Sequence, residues 1–153
     1  MSGTAALPDV GALRAALVGR QLPGGTVRVE PYEAWLGHEA MGAAAPRTDG
    51  LLDPLWILVV ALRGMGTGIS GVIELGRLGP GDSVLFGGLE LEQEAPLRTG
   101  SDYRVRGEIT GVERHQGRRA GVFDEVTFAL EISDCAGTRQ ARAVNRFLFR
   151  RAG

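Results

Sequence analysis

Residues 55–62 form the longest apolar run in the chain, Leu-Trp-Ile-Leu-Val-Val-Ala-Leu. A helix built from this run is apolar on every face, so the rest of the protein has to surround it. Asp53 and Pro54 precede the run, and an Asp at the N-cap followed by a Pro at the first helical position is a common helix start. We therefore predict a buried helix over residues 53–64. A β-strand is the alternative, because the run contains several β-branched residues.

The second half of the chain carries the sequence pattern of a sheet. Residues 103–109, 126–132 and 139–150 alternate apolar and polar side chains, which is typical of half-buried strands, and residues 83–94 mix apolar and acidic positions. Turn signals separate these segments at residues 96–100, 114–121 and 134–137, and the second of these is predicted to be a polar hairpin loop. Long strands that follow one another directly predict an antiparallel sheet with one face on a core.

The first 41 residues predict two further helices and one strand. Val10, Leu13 and Leu17 share a face at helical spacing, which indicates a helix over residues 9–18. A short strand is predicted over residues 26–30, and a helix from Pro31 to about Met41 with Trp35 and Leu36 turned inward.

Together these elements predict one α+β domain over residues 1–153. The chain length is typical of a single domain, and the sequence contains no internal repeat. The 53–64 helix is the one element apolar enough to cover the inner face of the sheet. An antiparallel sheet wrapped around a buried central helix is the hot-dog fold.

Composition excludes several functional classes. The net charge is -1, which argues against a nucleic-acid partner, and all 17 basic residues are arginines, which excludes Schiff-base and P-loop lysine chemistry. Cys135 is the one cysteine, so no internal disulfide or four-thiolate zinc site can form, and we expect a reducing, cytoplasmic location. The apolar run is far shorter than the ~20 residues of a membrane span, so no membrane association is predicted.

Several segments resemble one known family in order and spacing. They are Val18–Arg20, Leu85–Leu97 (LFGGLELEQEAPL), Arg98–Gly100, Tyr103–Ile109, Gly121–Phe128 and Asp134–Gly137. Together they resemble the N-terminal-type domain of MaoC-like dehydratases and (R)-specific enoyl-CoA hydratases. The resemblance implies a hot-dog homodimer or heterodimer that handles acyl thioesters of coenzyme A or acyl carrier protein. It implies no cofactor beyond that thioester carrier, and a setting in fatty-acid, polyketide or steroid metabolism.

The resemblance also shows where this chain departs from the active members of the family. Those members carry Asp-x-Asn-Pro-x-His just before the buried helix, where the Asp and His activate one water. Here residues 49–54 read Asp-Gly-Leu-Leu-Asp-Pro, with Leu51 at the Asn position and Pro54 at the His position. Phe86 and Leu89 stand where N-terminal-type relatives often carry His and Gln. The resemblance therefore implies a non-catalytic half that shapes the acyl tunnel for a catalytic partner.

Three residues are candidates for chemistry in this chain. Asp53 is either a catalytic carboxylate at a helix N-terminus or the cap of that helix. Asp49 is either a second carboxylate or a turn residue. His38 either reaches the tunnel from the helix that begins at Pro31, or is a structural or solvent-facing histidine.

A cluster of arginines is the candidate substrate-binding feature. Arg114, Arg118 and Arg119 could bind the phosphates of coenzyme A or the acidic surface of a carrier protein through forked hydrogen bonds. A solvated hairpin tip explains them equally well. No spacing of His, Cys, Asp or Glu predicts a metal site.

Two other functional classes stay open. One is a self-sufficient acyl-thioester enzyme, either a hydratase with displaced residues or a thioesterase that uses Asp53. The other is an acyl-thioester binding module without chemistry.

Overall fold

Four helices and five strands make up the computed structural model, which describes residues 6–43 and 47–152. The helices are α1 (Val10–Leu17), α2 (Pro31–Ala40), α3 (Trp56–Gly64) and α4 (Gly68–Leu75). The strands are β1 (Gly25–Arg28), β2 (Ser83–Gln93), β3 (Asp102–Gly117), β4 (Gly121–Ser133) and β5 (Arg139–Arg150). The predicted helices at both ends of the first 41 residues and the predicted strands are therefore present, with bounds that differ by a few residues.

The five strands form one antiparallel sheet in the order β1-β3-β4-β5-β2. Hairpins join β3 to β4 and β4 to β5, as the sequence predicted, and β2 crosses over to lie beside β5 at one edge. The inner face of the sheet is apolar because alternate residues of each central strand point to it; on β5 these include Ala141, Ala143, Phe147 and Phe149.

Helix α3 lies on that inner face and packs against β1, β3, β4 and β5. Ile57, Val60 and Ala61 are fully buried in the contact. At the end of the helix, a Cβ on Gly64 would lie 2.2 Å from Cγ2 of Val105, so a glycine is needed for this close approach. The prediction of a central helix is confirmed, and the strand alternative is wrong.

The start of α3 differs from the prediction. The helix begins at Trp56, its N-cap residue is Leu55, and no side chain caps it. The backbone N–H groups of Trp56 and Ile57 donate to the carbonyls of Asp53 and Pro54, at 2.9 and 3.0 Å, in a tighter turn that precedes the regular helix. The interpretation of Asp53 as the helix cap is therefore wrong, and its carboxylate is available for other contacts.

A second difference is α4, which the sequence analysis missed. The glycines after α3 were expected to end all helical structure, yet Gly66 and Gly68, with φ of +83° and +67°, only turn the chain into a new helix. Ile69, Val72 and Ile73 recur at helical spacing and were the available signal. In the described residues no single helix is long and apolar enough to cross a membrane, although α3 and α4 taken together pass on length and composition with a 71° bend between them.

Helix α2 was predicted to turn Trp35 and Leu36 inward, and this is wrong. Their exposed fractions are 52% and 54%, and the residue of α2 that is buried is His38. Helical position explains the difference, because α2 packs on α3 through Gly37, whose hydrogen lies where a Cβ would approach the Trp56 ring to 2.7 Å.

The predicted hairpin loop at residues 114–121 is mostly strand. β3 continues to Gly117, and only residues 118–120 form the turn. Arg114 therefore faces its cross-strand partner Asp124 and donates two hydrogen bonds to that buried carboxylate, at 2.6 and 2.9 Å. Its position after a bulge in β3 places it on the inner side of the sheet, which alternation alone did not reveal.

Asp124 and Arg151 form a buried ionic network at the end of the sheet. The Arg151 guanidinium donates to Asp124, Asp82 and the carbonyl oxygens of Gly76 and Arg77. Burial alone would raise the pKa of Asp124, but hydrogen bonds from Arg114 and Arg151 outweigh it and hold that pKa below its usual value. The network fastens the segment after α4 to the C-terminal end of β5.

We expect Arg151→Met to lower the free energy of unfolding by about 3–5 kcal/mol, because it leaves the buried Asp124 carboxylate short of one cation. Urea denaturation followed by circular dichroism measures the change. Arg28→Gln is the control, since it breaks an ion pair to Asp102 whose side chains are 48% and 39% exposed, and it should alter the midpoint little. Equal losses in the two variants would contradict the structural role given to Arg151.

Candidate functional site

A cavity of about 270 Å³ lies between α2, the loop of residues 47–55 and the first turn of α3. Apolar side chains and one edge of polar groups line it together. The lining residues are Pro31, Ala34, Trp35, His38, Arg47, Thr48, Gly50, Leu51, Leu52, Asp53, Trp56 and Thr99.

Helix α2 is held in place at both its start and its middle. Glu30 and Glu33 form a reciprocal capping box around Pro31, which fixes where the helix begins. The Arg63 side chain of α3 then donates to Glu33 at 2.9 Å and ties the two helices together. Because α2 is anchored in this way, the buried His38 has a defined position in the cavity wall.

The loop before α3 is fixed to the connection between β2 and β3. The Leu52 N–H donates to the Leu97 carbonyl at 2.8 Å, and the Thr99 N–H donates to the Gly50 carbonyl at 3.0 Å. Gly50 has a φ of +72°, a left-handed conformation that glycine adopts without strain. These bonds hold Leu51 and Asp53 at the cavity.

Four side chains form a continuous polar row along one edge of this cavity. His38 Nδ1 lies 3.4 Å from Oδ2 of Asp53, at the long end of hydrogen-bond distance. Arg47 Nη1 lies 3.5 Å from Oδ1 of the same carboxylate, and Arg47 donates to Asp49 at 2.9 and 3.2 Å. The structure thus brings together all three candidate residues, Asp53, Asp49 and His38, and adds Arg47 between the two carboxylates.

His38 is the most deeply buried member of this row, with an exposed fraction of 8%. Its Nε2 atom is buried, and within the described part of the chain it has no hydrogen-bond partner. When Nδ1 carries the proton and donates to Asp53, Nε2 is left as a hydrogen-bond acceptor. This unpartnered buried atom is one that a bound molecule or water can satisfy.

The Asp49 carboxylate is held in its ionised form. The hydrogen bonds from Arg47, and then the one from the Leu51 backbone, lower the pKa of Asp49 to about 2. The same pairing raises the pKa of Arg47. Asp49 is therefore an anchor for Arg47, and it is also the turn residue that the sequence suggested, since it accepts from the Leu51 N–H at 3.0 Å.

The arginine cluster is divided by the structure. Arg114 is engaged by Asp124 and by the carbonyl of Pro8, whereas Arg118 and Arg119 lie exposed at the turn between β3 and β4. The cavity lining includes none of the three. Substrate binding by Arg118 and Arg119 stays a prediction.

Comparison with known proteins bears on the fold. Neither a protein-family model nor a curated protein sequence matches the chain. Three solved structures do. A chain of the ChsH1–ChsH2 complex from Mycobacterium tuberculosis has a TM-score of 0.67 and 19% identity, over 94% of this chain and 90% of that one. The C-terminally truncated HadBC (3R-hydroxyacyl-ACP dehydratase) complex from the same organism has a TM-score of 0.65 and 12% identity, over 86% and 96%. A MaoC-like dehydratase from Rhodospirillum rubrum has a TM-score of 0.58 and 16% identity, over 89% and 94%.

The chain has the hot-dog fold. The predicted α+β architecture and the resemblance to MaoC-like dehydratases are confirmed at the level of that fold. In this hot-dog domain the cavity lies beside the first turn of the central helix, and the residues that replace the family motif are found there. Leu51 lines the cavity, and Pro54 is part of the turn that leads into α3.

Two side chains in this region were not singled out from the sequence. Arg47 lies only two residues before Asp49, but the sequence offered no reason to pair it with Asp53 as well. Trp56 was assigned to the core, and it does so while also lining the cavity. Among the described residues, no three His, Cys, Asp or Glu side chains converge as a metal site.

We expect a carbon-13 NMR titration of the Asp49 carboxyl to show a midpoint near pH 2. Because the pKa of Asp49 is lowered on folding, its contribution to the loop is complete above its usual pKa of 3.8 and is lost as the pH falls through about 2. Arg47→Gln should move the midpoint toward 3.8. A wild-type midpoint already near 3.8 would show that the Arg47–Asp49 pair is not formed in solution.

Proposed function

We propose that this hot-dog domain is the acyl-binding half of a heteromeric (R)-specific enoyl-thioester hydratase or dehydratase. The cavity beside α3 receives the acyl group of a coenzyme A or acyl-carrier-protein thioester. A second hot-dog subunit supplies the Asp and His that add or remove water. The assembly is placed in the cytoplasm, in fatty-acid, polyketide or steroid metabolism.

The loop before α3 is the observation that carries this proposal. The family's proton-transfer residues belong in that loop, and here Leu51 lines the cavity while Pro54 leads into the helix. Neither side chain can transfer a proton. The position is built to contact an acyl chain, because Leu51 shares the cavity with the indoles of Trp35 and Trp56.

The edge strand β2 supports a partner subunit. Phe86 points to the inner side of the sheet beside Phe147, with ring centroids 5.9 Å apart, yet it is 55% exposed, so its assignment to the core is wrong. Its neighbour Leu85 is 58% exposed. Exposed apolar side chains on an edge strand favour burial against another chain. The ChsH1–ChsH2 and HadBC structures contain two different subunits, which is the kind of assembly proposed for this domain.

A self-sufficient hydratase with displaced residues is the second candidate. The contact between His38 and Asp53 favours it, because a carboxylate and an imidazole share one cavity. Under that alternative the chain alone hydrates 2-enoyl thioesters, and Asp53→Asn lowers the rate by about 10²–10⁴-fold. A binding module without chemistry would instead bind acyl-CoA and stay inactive with every hot-dog partner.

We expect the purified chain alone to leave a short and a bulky 2-enoyl-CoA unhydrated, and to give hydration when co-expressed with a hot-dog partner that carries Asp-x-Asn-Pro-x-His. The loss of the ultraviolet absorbance of the conjugated thioester measures the reaction. The partner alone is the control. Hydration by the isolated chain would replace the proposal with the self-sufficient enzyme.

We expect Gly37→Ala to reduce the use of bulky acyl chains by the assembled enzyme. The new Cβ would approach the Trp56 ring to 2.7 Å, so the indole has to move and the cavity wall changes shape. A change of one methyl group in an apolar pocket alters kcat/KM by about 10–200-fold, and the bulky substrate should lose more than the short one. Gly79→Ala is the matched control, since its Cβ meets nothing closer than 3.7 Å. Equal kcat/KM ratios in both variants would count against an acyl tunnel at this cavity.

A further inference from the structure

The polar row in the cavity is not explained by acyl-chain binding alone. A tunnel for an apolar chain gains nothing from a buried imidazole whose Nε2 has no partner among the described residues, since a buried polar atom without a hydrogen bond costs about 1–3 kcal/mol. His38 lines the cavity, and Asp53 lies against its other ring nitrogen. This order of carboxylate, imidazole and free acceptor is the arrangement that activates a water or hydroxyl group.

We propose that His38 is a general base that hydrolyses acyl thioesters bound in this cavity. The inference rests on the proposed function for its substrate class, an acyl thioester. It adds an activity on the thioester carbonyl, one bond away from the carbons on which a hydratase acts. Asp53 is a positioning residue, because it acts through His38.

The reaction needs only water and the thioester. His38 Nε2 takes a proton from water while the water oxygen forms a bond to the carbonyl carbon. The tetrahedral intermediate then collapses, the carbon–sulfur bond breaks, and the proton on Nε2 passes to the leaving thiolate. The products are a carboxylic acid and a free thiol, so one imidazole serves as base and then as acid.

The surroundings of His38 suit both stages. The Asp53 carboxylate holds Nδ1 as the donor nitrogen and stabilises the imidazolium that forms between the two proton transfers. Arg47 lies along the same cavity, 3.5 Å from Asp53, and adds positive charge where the carbonyl oxygen becomes an oxyanion. Asp49 holds that guanidinium in place through two hydrogen bonds.

The chain offers an unusually direct way to test this. Its two tryptophans, Trp35 and Trp56, both line the cavity, so intrinsic fluorescence reports ligand binding there. Its two histidines are His38 and His115, so nitrogen-15 NMR resolves the tautomer of each. His115 lies on β3, stacked on Phe123 with ring centroids 5.2 Å apart, and is not among the cavity residues.

The experiment uses the purified full chain and hexanoyl-CoA, a saturated thioester that cannot be hydrated. Release of coenzyme A is followed with a thiol reagent, in a Cys135→Ser background because Cys135 is exposed and would react. We expect hydrolysis by this protein, a loss of about 10²–10⁴-fold in kcat for His38→Ala, and wild-type rates for His115→Ala.

Asp53→Asn separates positioning from folding. It should lower kcat while KM for hexanoyl-CoA changes little, and it should remove the preference for the Nδ1-protonated tautomer of His38 in the NMR spectrum. A merely structural role would leave that tautomer unchanged or would alter the thermal unfolding midpoint instead.

The outcomes are distinguishable from failure of the proposed function. Quenching of tryptophan fluorescence by hexanoyl-CoA without release of coenzyme A overturns the hydrolytic inference and leaves acyl binding in place. Hydrolysis that persists in His38→Ala also overturns it. No fluorescence change and no hydrolysis overturn both proposals, because the cavity would then not be an acyl-thioester site.

Discussion

The close contact between α3 and the sheet determines where everything else in this domain can lie. Gly64 approaches Val105 so closely that any side chain there would overlap it, and the fully buried Ile57 and Val60 continue the contact along the helix. With the end of α3 fixed in this way, its first turn is directed toward α2 and the loop before it. The cavity exists because three elements meet at that one end of the helix.

The position of Asp53 follows from how the chain enters α3. Pro54 has no backbone N–H to offer, and the first turn is bonded between backbone groups, so the Asp53 side chain is not needed as a cap. Its carboxylate lies instead between His38 and Arg47. A local capping rule and a tertiary contact compete for the same oxygen atoms, and in this protein the tertiary contact prevails.

This competition explains how far the sequence could lead. Alternation in β3, β4 and β5 and the apolar run of α3 predicted the sheet and its central helix, because burial imposes those periods directly. The outward orientation of Trp35 depends on α2 packing through Gly37, and Arg114 faces Asp124 only because a bulge shifts β3. Contacts between distant segments decide both, and no local pattern records them.

The same limit applies to the candidate site. Asp49, Asp53 and His38 could each be named from the sequence, but with a bland reading beside each, since their spacing gives no sign that α2 returns to the loop before α3. Once they are together, the cavity has two chemically different walls. Leu51 and the indoles form a surface for an acyl chain, whereas His38 and Arg47 form a polar edge where a carbonyl and a water can bind. A domain that has lost the family's proton-transfer positions can therefore keep the acyl group and still hold a base against its thioester.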